Sequence, residues 1–99
     1  MKKIIVLLAL ALSSHSFATE CSSEAKDIAK INLDQVAKKY GFESSDIVDA
    51  ARLVKTVQVK GETLSVFAID GYIYKGSYTV TATLDSMCAL RKINIQEDQ

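Results

Sequence analysis

The sequence predicts an α+β domain in which one N-terminal amphipathic helix packs on a four-stranded antiparallel meander, held by one disulfide. Three observations carry this. Apolar residues recur at spacings of three and four up to residue 40, and beyond residue 51 the period falls to two. Glycine and Asp/Ser pairs divide the second half into strand-length runs. Two cysteines, Cys21 and Cys88, lie near opposite ends of the chain that follows the leader.

The leader comes first. Met1-Lys2-Lys3 is a short basic region, residues 4–12 are uninterruptedly apolar, and Ser16 and Ala18 are small residues at A-x-A-like positions. A signal peptide over residues 1–18 is expected, with cleavage between Ala18 and Thr19. The apolar run would make about 14 Å of helix, half a hydrocarbon core, so it does not read as a membrane anchor. Glu20 stands where a lipoprotein signal needs a small residue before Cys21. The expected domain is therefore residues 19–99, periplasmic or secreted, without a membrane anchor after cleavage.

Loss of residues 1–18 removes Lys2, Lys3 and His15 from a chain of 12 bases, 12 acids and one histidine. A slightly acidic domain without a basic stripe gives no reason to expect nucleic-acid binding. In an exported chain, Cys21 and Cys88 permit one intramolecular pairing, and a structural disulfide is expected.

The helix is predicted over residues 23–40, with Ser22-Ser23 as cap and Glu24 and Asp27 in the first turn. Ala25, Ile28, Ala29, Leu33, Val36, Ala37 and Tyr40 form its apolar face, and Gly41 ends it. Ser44-Ser45-Asp46 reads as a second cap, so residues 42–52 are expected to form a short second helix.

Strands are expected over residues 53–59, 63–69, 72–84 and 87–95, rich in Val, Ile, Thr and Tyr. Asp70-Gly71 is the strongest hairpin signal, a two-residue type I′ turn. That turn puts Phe67, Ile69, Tyr72, Tyr74, Tyr78, Val80, Ala82 and Leu84 on the helix side. Ile73, Lys75, Ser77, Thr79, Thr81 and Thr83 then make the wet side. A two-residue turn at Asp85-Ser86 adds Met87, Ala89, Ile93 and Ile95 to the core and aims Cys88 outward. At the first hairpin, a three-residue loop Val59-Lys60-Gly61 brings Leu53 and Val57 to the core side.

Chemistry is narrowed by the same residues. Without His15 there is no imidazole for a general base, a Ser-His-Asp triad or a histidine metal site. With both cysteines in a disulfide, thiolate catalysis and cysteine-ligated metals go too. No glycine-rich phosphate loop and no calcium-loop spacing is present. No cofactor is expected, and no enzymatic activity. In layout the chain is similar to exported inhibitors of the cystatin and β-lactamase-inhibitor-protein types. Val57-Gln58-Val59-Lys60-Gly61 echoes the cystatin loop, without any family signature.

The expectation is thus a small exported protein-binding module, a protease or cell-wall-hydrolase inhibitor being one form. The alternative is an envelope accessory protein pairing through its sheet edge with a larger assembly. The partner would be an unidentified protein, and the chain itself a monomer or weak homodimer. The candidate protein-binding residues are Ile69, Asp70, Tyr72 and Tyr74, at the end of the 70–71 hairpin. Their role depends on residues 42–51: if that segment packs elsewhere, the tyrosine-bearing edge is free for a partner.

Overall fold

In the first described helical turns with side chains, Cys21, Ala25, Ala29, Leu33 and Ala37 repeat every four residues and are all buried. They lie on the long helix α1 (Lys2–Lys39). The computed structural model describes the backbone of residues 2–98 and the side chains of residues 21–98. The expected cleavage site lies outside the described side chains. Among the described residues no helix is long and apolar enough to cross a membrane.

The helical backbone continues through Ser22-Ser23, so these residues do not begin the helix as expected. Its C-terminal end follows the sequence. Gly41 takes φ +90°, the Phe42 amide donates to the Ala37 carbonyl at 2.8 Å, and the Gly41 amide donates to Lys38 at 3.1 Å. This is a Schellman motif, which satisfies carbonyls the last turn leaves unpaired. Tyr40 stays 65% exposed, because the chain turns away before its side chain reaches the sheet.

Five strands follow: β1 (Asp46–Ile47), β2 (Arg52–Val59), β3 (Glu62–Ile73), β4 (Gly76–Leu84) and β5 (Leu90–Glu97). All pairings are antiparallel. The order is β1-β3-β4-β5, with β2 beside β1 on the same edge of β3. The expected α+β class holds, with one helix on an antiparallel sheet and a single Cys21–Cys88 disulfide. The short second helix does not form. Residues 42–51 run as an extended segment whose centre is β1, because backbone pairing to β3 satisfies groups that one or two helical turns would leave open.

The largest correction concerns the second hairpin. β3 runs straight through Asp70-Gly71, and the chain turns at Tyr74-Lys75, with Ile73 opposite Gly76. Tyr74 takes the left-handed φ of +55°. Gly71 has no turn role. A Cβ there would lie 2.6 Å from Leu33 Cδ2 and 2.9 Å from the Asp46 carbonyl oxygen. Glycine is required at that point because helix and β1 both press against the strand.

Moving the turn exchanges the faces of residues 72–74. Ile73, expected on the wet side, is buried under the helix, whereas Tyr72 and Tyr74 are 44% and 71% exposed. The rest of the core face stands as expected: Phe67, Ile69, Tyr78, Val80, Ala82 and Leu84 are buried against α1. Tyr78 raises its own phenol pKa through burial, with the nearby Glu97 charge adding to the effect.

The first hairpin closes in two residues, not three. Val59 faces Glu62, and Lys60 and Gly61 take φ +50° and +82°, the signs a type I′ turn needs. A bulge between Leu53 and Lys55 then corrects the register. Leu53 sits opposite Phe67 on the helix side, while Val57 faces Leu64 on the outer side.

Between β4 and β5 the connection is a loop, residues 85–89, rather than a two-residue turn. The Asp85 amide donates to the Ala89 carbonyl, and the Asp85 carboxylate accepts from the Met87 and Ala89 amides at 2.9 and 3.0 Å. Those amides hold its pKa below the usual carboxylate range, with Arg91 contributing less. The loop leaves Met87 83% exposed and Ala89 exposed, while Ile93 and Ile95 reach the core margin. It also puts Cys88 at φ +61° and brings its Cα 5.2 Å from that of Cys21. The outward aim expected for Cys88 does not arise, since the residue is in a loop and not in a strand.

Two outcomes test this account. Gly71→Ala should destabilise the domain by about 1–3 kcal/mol in urea unfolding, since neither Leu33 nor the β1 backbone can retreat without repacking. Reduction of Cys21–Cys88 should lower stability by about 4 kcal/mol in the chain-entropy account, read as a drop in melting temperature.

Candidate functional site

The four residues singled out by sequence do not form one surface. Ile69 lies mid-strand in β3 and is fully buried under the helix. Asp70 is on the opposite face, where its Oδ2 accepts from Arg52 Nη1 at 2.6 Å. Tyr72 is on that outer face beside Ser77, and Tyr74 sits in the turn.

The edge they were expected to leave open is covered by residues 42–51. Asp46 pairs with Tyr72, Ile47 pairs with Gly71, and the Val48 amide donates to the Asp70 carbonyl at 3.1 Å. Phe42 stacks on Tyr74 with ring centroids 5.5 Å apart and 12° between planes, and the Lys75 ammonium lies 5.5 Å from the Tyr74 centroid. The condition on which the docking reading depended is not met at this edge.

A polar latch holds the covering segment. Asp34 Oδ1 accepts from the Ser45 amide at 2.8 Å, from Ser45 Oγ at 2.7 Å and from Lys30 Nζ at 2.9 Å. Lys30 also donates to the Ser45 carbonyl. Ser45 is buried, so each of its polar groups needs a partner, and this pair of helix side chains supplies all of them. The Ser45 hydroxyl, then Lys30, then the Ser45 amide hold the Asp34 carboxyl at about 2, well below its ordinary value of 3.8.

The outer face of the sheet is not covered by the helix; on it Val66 and Ala68 are buried among their neighbours, and Val57, Leu64, Thr81 and Thr83 are half-buried. Register partners place Lys55, Val66, Thr83 and Lys92 in one row across β2, β3, β4 and β5. The neighbouring row is Arg52, Ala68, Thr81 and Asn94. Val57 and Leu64 extend the apolar floor towards the 60–61 turn. The first row, with Thr81, Asn94, Val57, Leu64 and Val59, lines a shallow concavity of about 580 Å³. Three inter-strand steps separate Lys55 from Lys92, about 14 Å at the usual spacing.

Charge on this face is unequal. Glu62 is bridged by Arg91 at 2.6 Å and Asp70 by Arg52 at 2.6 Å. Among the described residues Lys55 and Lys92 are in no ion pair. The face therefore offers an apolar floor with a free ammonium at each side and threonine hydroxyls between. Among the described residues no group of three or more His, Cys, Asp or Glu is placed to hold a metal ion.

Compared with protein-family models, curated proteins and solved structures, the chain matches none of them. Any functional reading rests on the geometry above. The threonine alternation of β4 was visible in the sequence as one side of a sheet. The facing Val57, Leu64 and Val66 were not, because their side depends on the bulge at Leu53/Lys55 and the length of the first turn.

The latch has a pH signature. Its stabilisation is present while Asp34 is ionised in both folded and unfolded states, and is lost as pH falls from about 4 towards 2. Asp34→Asn should flatten the stability profile across that window relative to wild type. It should also expose the β1 amides to faster hydrogen exchange, with the β3–β4 amides unaffected.

Proposed function

We propose that the protein is a small exported binding module that takes a protein partner on the bare face of its sheet. The observation that carries this reading is the Lys55–Val66–Thr83–Lys92 row, an apolar floor between two ammonium groups without acidic partners. Two like charges left uncompensated beside apolar surface are costly to no one in water, but they favour one kind of occupant. A protein segment with apolar side chains at its centre and carboxylates at its flanks complements both features. Export is supported by the leader and by the Cys21–Cys88 disulfide, a bond that persists in oxidising compartments.

Inhibition of a protease or a cell-wall hydrolase is the first activity to assay, since such inhibitors act by occupying a partner rather than by chemistry of their own. The second reading, an envelope protein that adds its sheet edge to a larger assembly, draws on the outer edges of β2 and β5, which border no other strand among the described residues.

The test is paired capture from a periplasmic extract, with wild type and a Lys55→Glu, Val57→Asp variant compared at equal load. Both substitutions lie on an exposed or half-buried outer position, so the melting temperature should hold within a few degrees. Loss of one stoichiometric partner by the variant, together with salt sensitivity of the wild-type complex, is the expected result. A partner retained equally by both proteins would transfer the site to an edge. Intact mass of the product should correspond to a chain beginning at Thr19 with both cysteines oxidised.

A further inference from the structure

We propose that the free edge of β5 is a self-association edge, pairing antiparallel with β5 of a second copy of this chain about a twofold axis at Asn94. The strand reads Leu90-Arg91-Lys92-Ile93-Asn94-Ile95-Gln96-Glu97 and is followed by Asp98. It is basic at one end and acidic at the other. Antiparallel pairing centred on Asn94 sets Lys92 opposite Gln96 and Ile93 opposite Ile95 within the regular stretch, and brings the Arg91 end of each strand beside the Glu97 end of the other. No like charges face each other in that register, which directly opposed pairs require. A parallel arrangement would align the basic ends and is disfavoured.

The apolar side points the same way. Ile93 and Ile95 stand on the helix side of the sheet, opposite Ala82 and Val80, yet remain only half-buried. The helix lies chiefly over β3 and β4, so it stops short of this strand. Leu90 is 39% exposed. A second β5 would bring two more isoleucines against the first pair and close this gap with a cluster of four. The contact is isologous and closes on itself, as a twofold dimer requires.

The opposite edge lacks these properties. β2 carries Arg52 and Lys55 with no acidic residue, so self-pairing gains no ion pair. Its bulge between Leu53 and Lys55 also breaks the regular row of backbone groups a partner strand would need. In β5 the irregularity falls at the very start, between Thr83 and Leu84 on the partner strand, and residues 92–97 are regular. Glu97 is in no ion pair among the described residues, while Arg91 already serves Glu62 and Asp85. The decisive contribution of Glu97 is therefore to keep the facing position from being cationic.

The full chain, expressed with its own leader and purified as the cells deliver it, is examined by sedimentation over low micromolar to millimolar concentration. A monomer–dimer equilibrium is expected. Glu97→Arg, on the helix side and away from the proposed partner face, should weaken it about tenfold or more by bringing a further cation to the basic Arg91–Lys92 end of the second strand, without lowering the melting temperature. At the twofold axis the two Asn94 Cα atoms would lie about 4.5–5.5 Å apart, within disulfide reach. Asn94→Cys should thus give a covalent dimer under mild oxidation, and Val54→Cys on β2 should not. A chain that stays monomeric throughout, or a dimer indifferent to Glu97→Arg and not trapped by Asn94→Cys, overturns the proposal. Lys55→Glu, Val57→Asp leaves this edge intact, so failure of partner capture and failure of self-association are separately readable.

Discussion

The structure depends on how closely helix α1 approaches the sheet. A four-residue repeat of small or compact side chains, Cys21, Ala25, Ala29, Leu33 and Ala37, forms one ridge of the helix and is buried throughout. Alanines let the helix backbone sink towards β3 and β4, and Leu33 alone projects from the ridge deeply enough to reach Gly71. That contact and the β1 backbone together exclude a side chain at position 71, where Gly71 is paired with Ile47 on one side and Tyr78 on the other. The same approach brings Cys21 within bonding distance of the 85–89 loop and lets Asp34 grip Ser45 from the adjacent helix face. Disulfide and latch both follow from the depth at which the ridge seats.

Much of this was legible in residues 25–40 and 78–84. A period of 3.6 with a terminal glycine defines the helix face and its stop, and a period of two in Tyr78, Val80, Ala82 and Leu84 defines the buried side of β4. The turns were less legible. Asp-Gly is the commonest chemistry for a two-residue hairpin, yet here the glycine answers a steric demand from the helix, which no local pattern encodes. Tyr74 and Cys88 take left-handed φ values without glycine. Their turns are set by pairing on either side, and the residue type carries no trace of it. Residues 44–46 resemble a helix cap because serine and aspartate compete for backbone groups in either setting. Pairing of β1 with β3 and the grip of Asp34, eleven residues earlier, on Ser45 decide the outcome.

The candidate site was misplaced for the same reason. Once β3 extends to Ile73, the tyrosines leave the core and meet Phe42 and β1 instead, so the edge that looked free is occupied by neighbouring chain. The bare surface lies on the other side of the sheet, over β2, β3 and the threonines of β4. One edge of the sheet is interrupted by a bulge within β2 and flanked by β1, and the other is regular over residues 92–97. A sheet with one covered face and two unlike edges is an asymmetric object, and its association chemistry is correspondingly local.

The position of the disulfide divides the chain in an unequal way. Cys21 and Cys88 are 67 residues apart, and the ring they close contains the helix from Cys21 onward together with β1 to β4. β5 lies outside it, held to β4 by backbone pairing and by the isoleucines at its inner side. A protease that cuts an exposed loop such as residues 48–51 or the 60–61 turn therefore severs the backbone without releasing a fragment. A cut after the loop at residue 89 leaves the edge strand held by non-covalent contacts alone. The covalent ring makes the α1–β4 body tolerant of nicking and leaves β5 as the one strand of the sheet held without it.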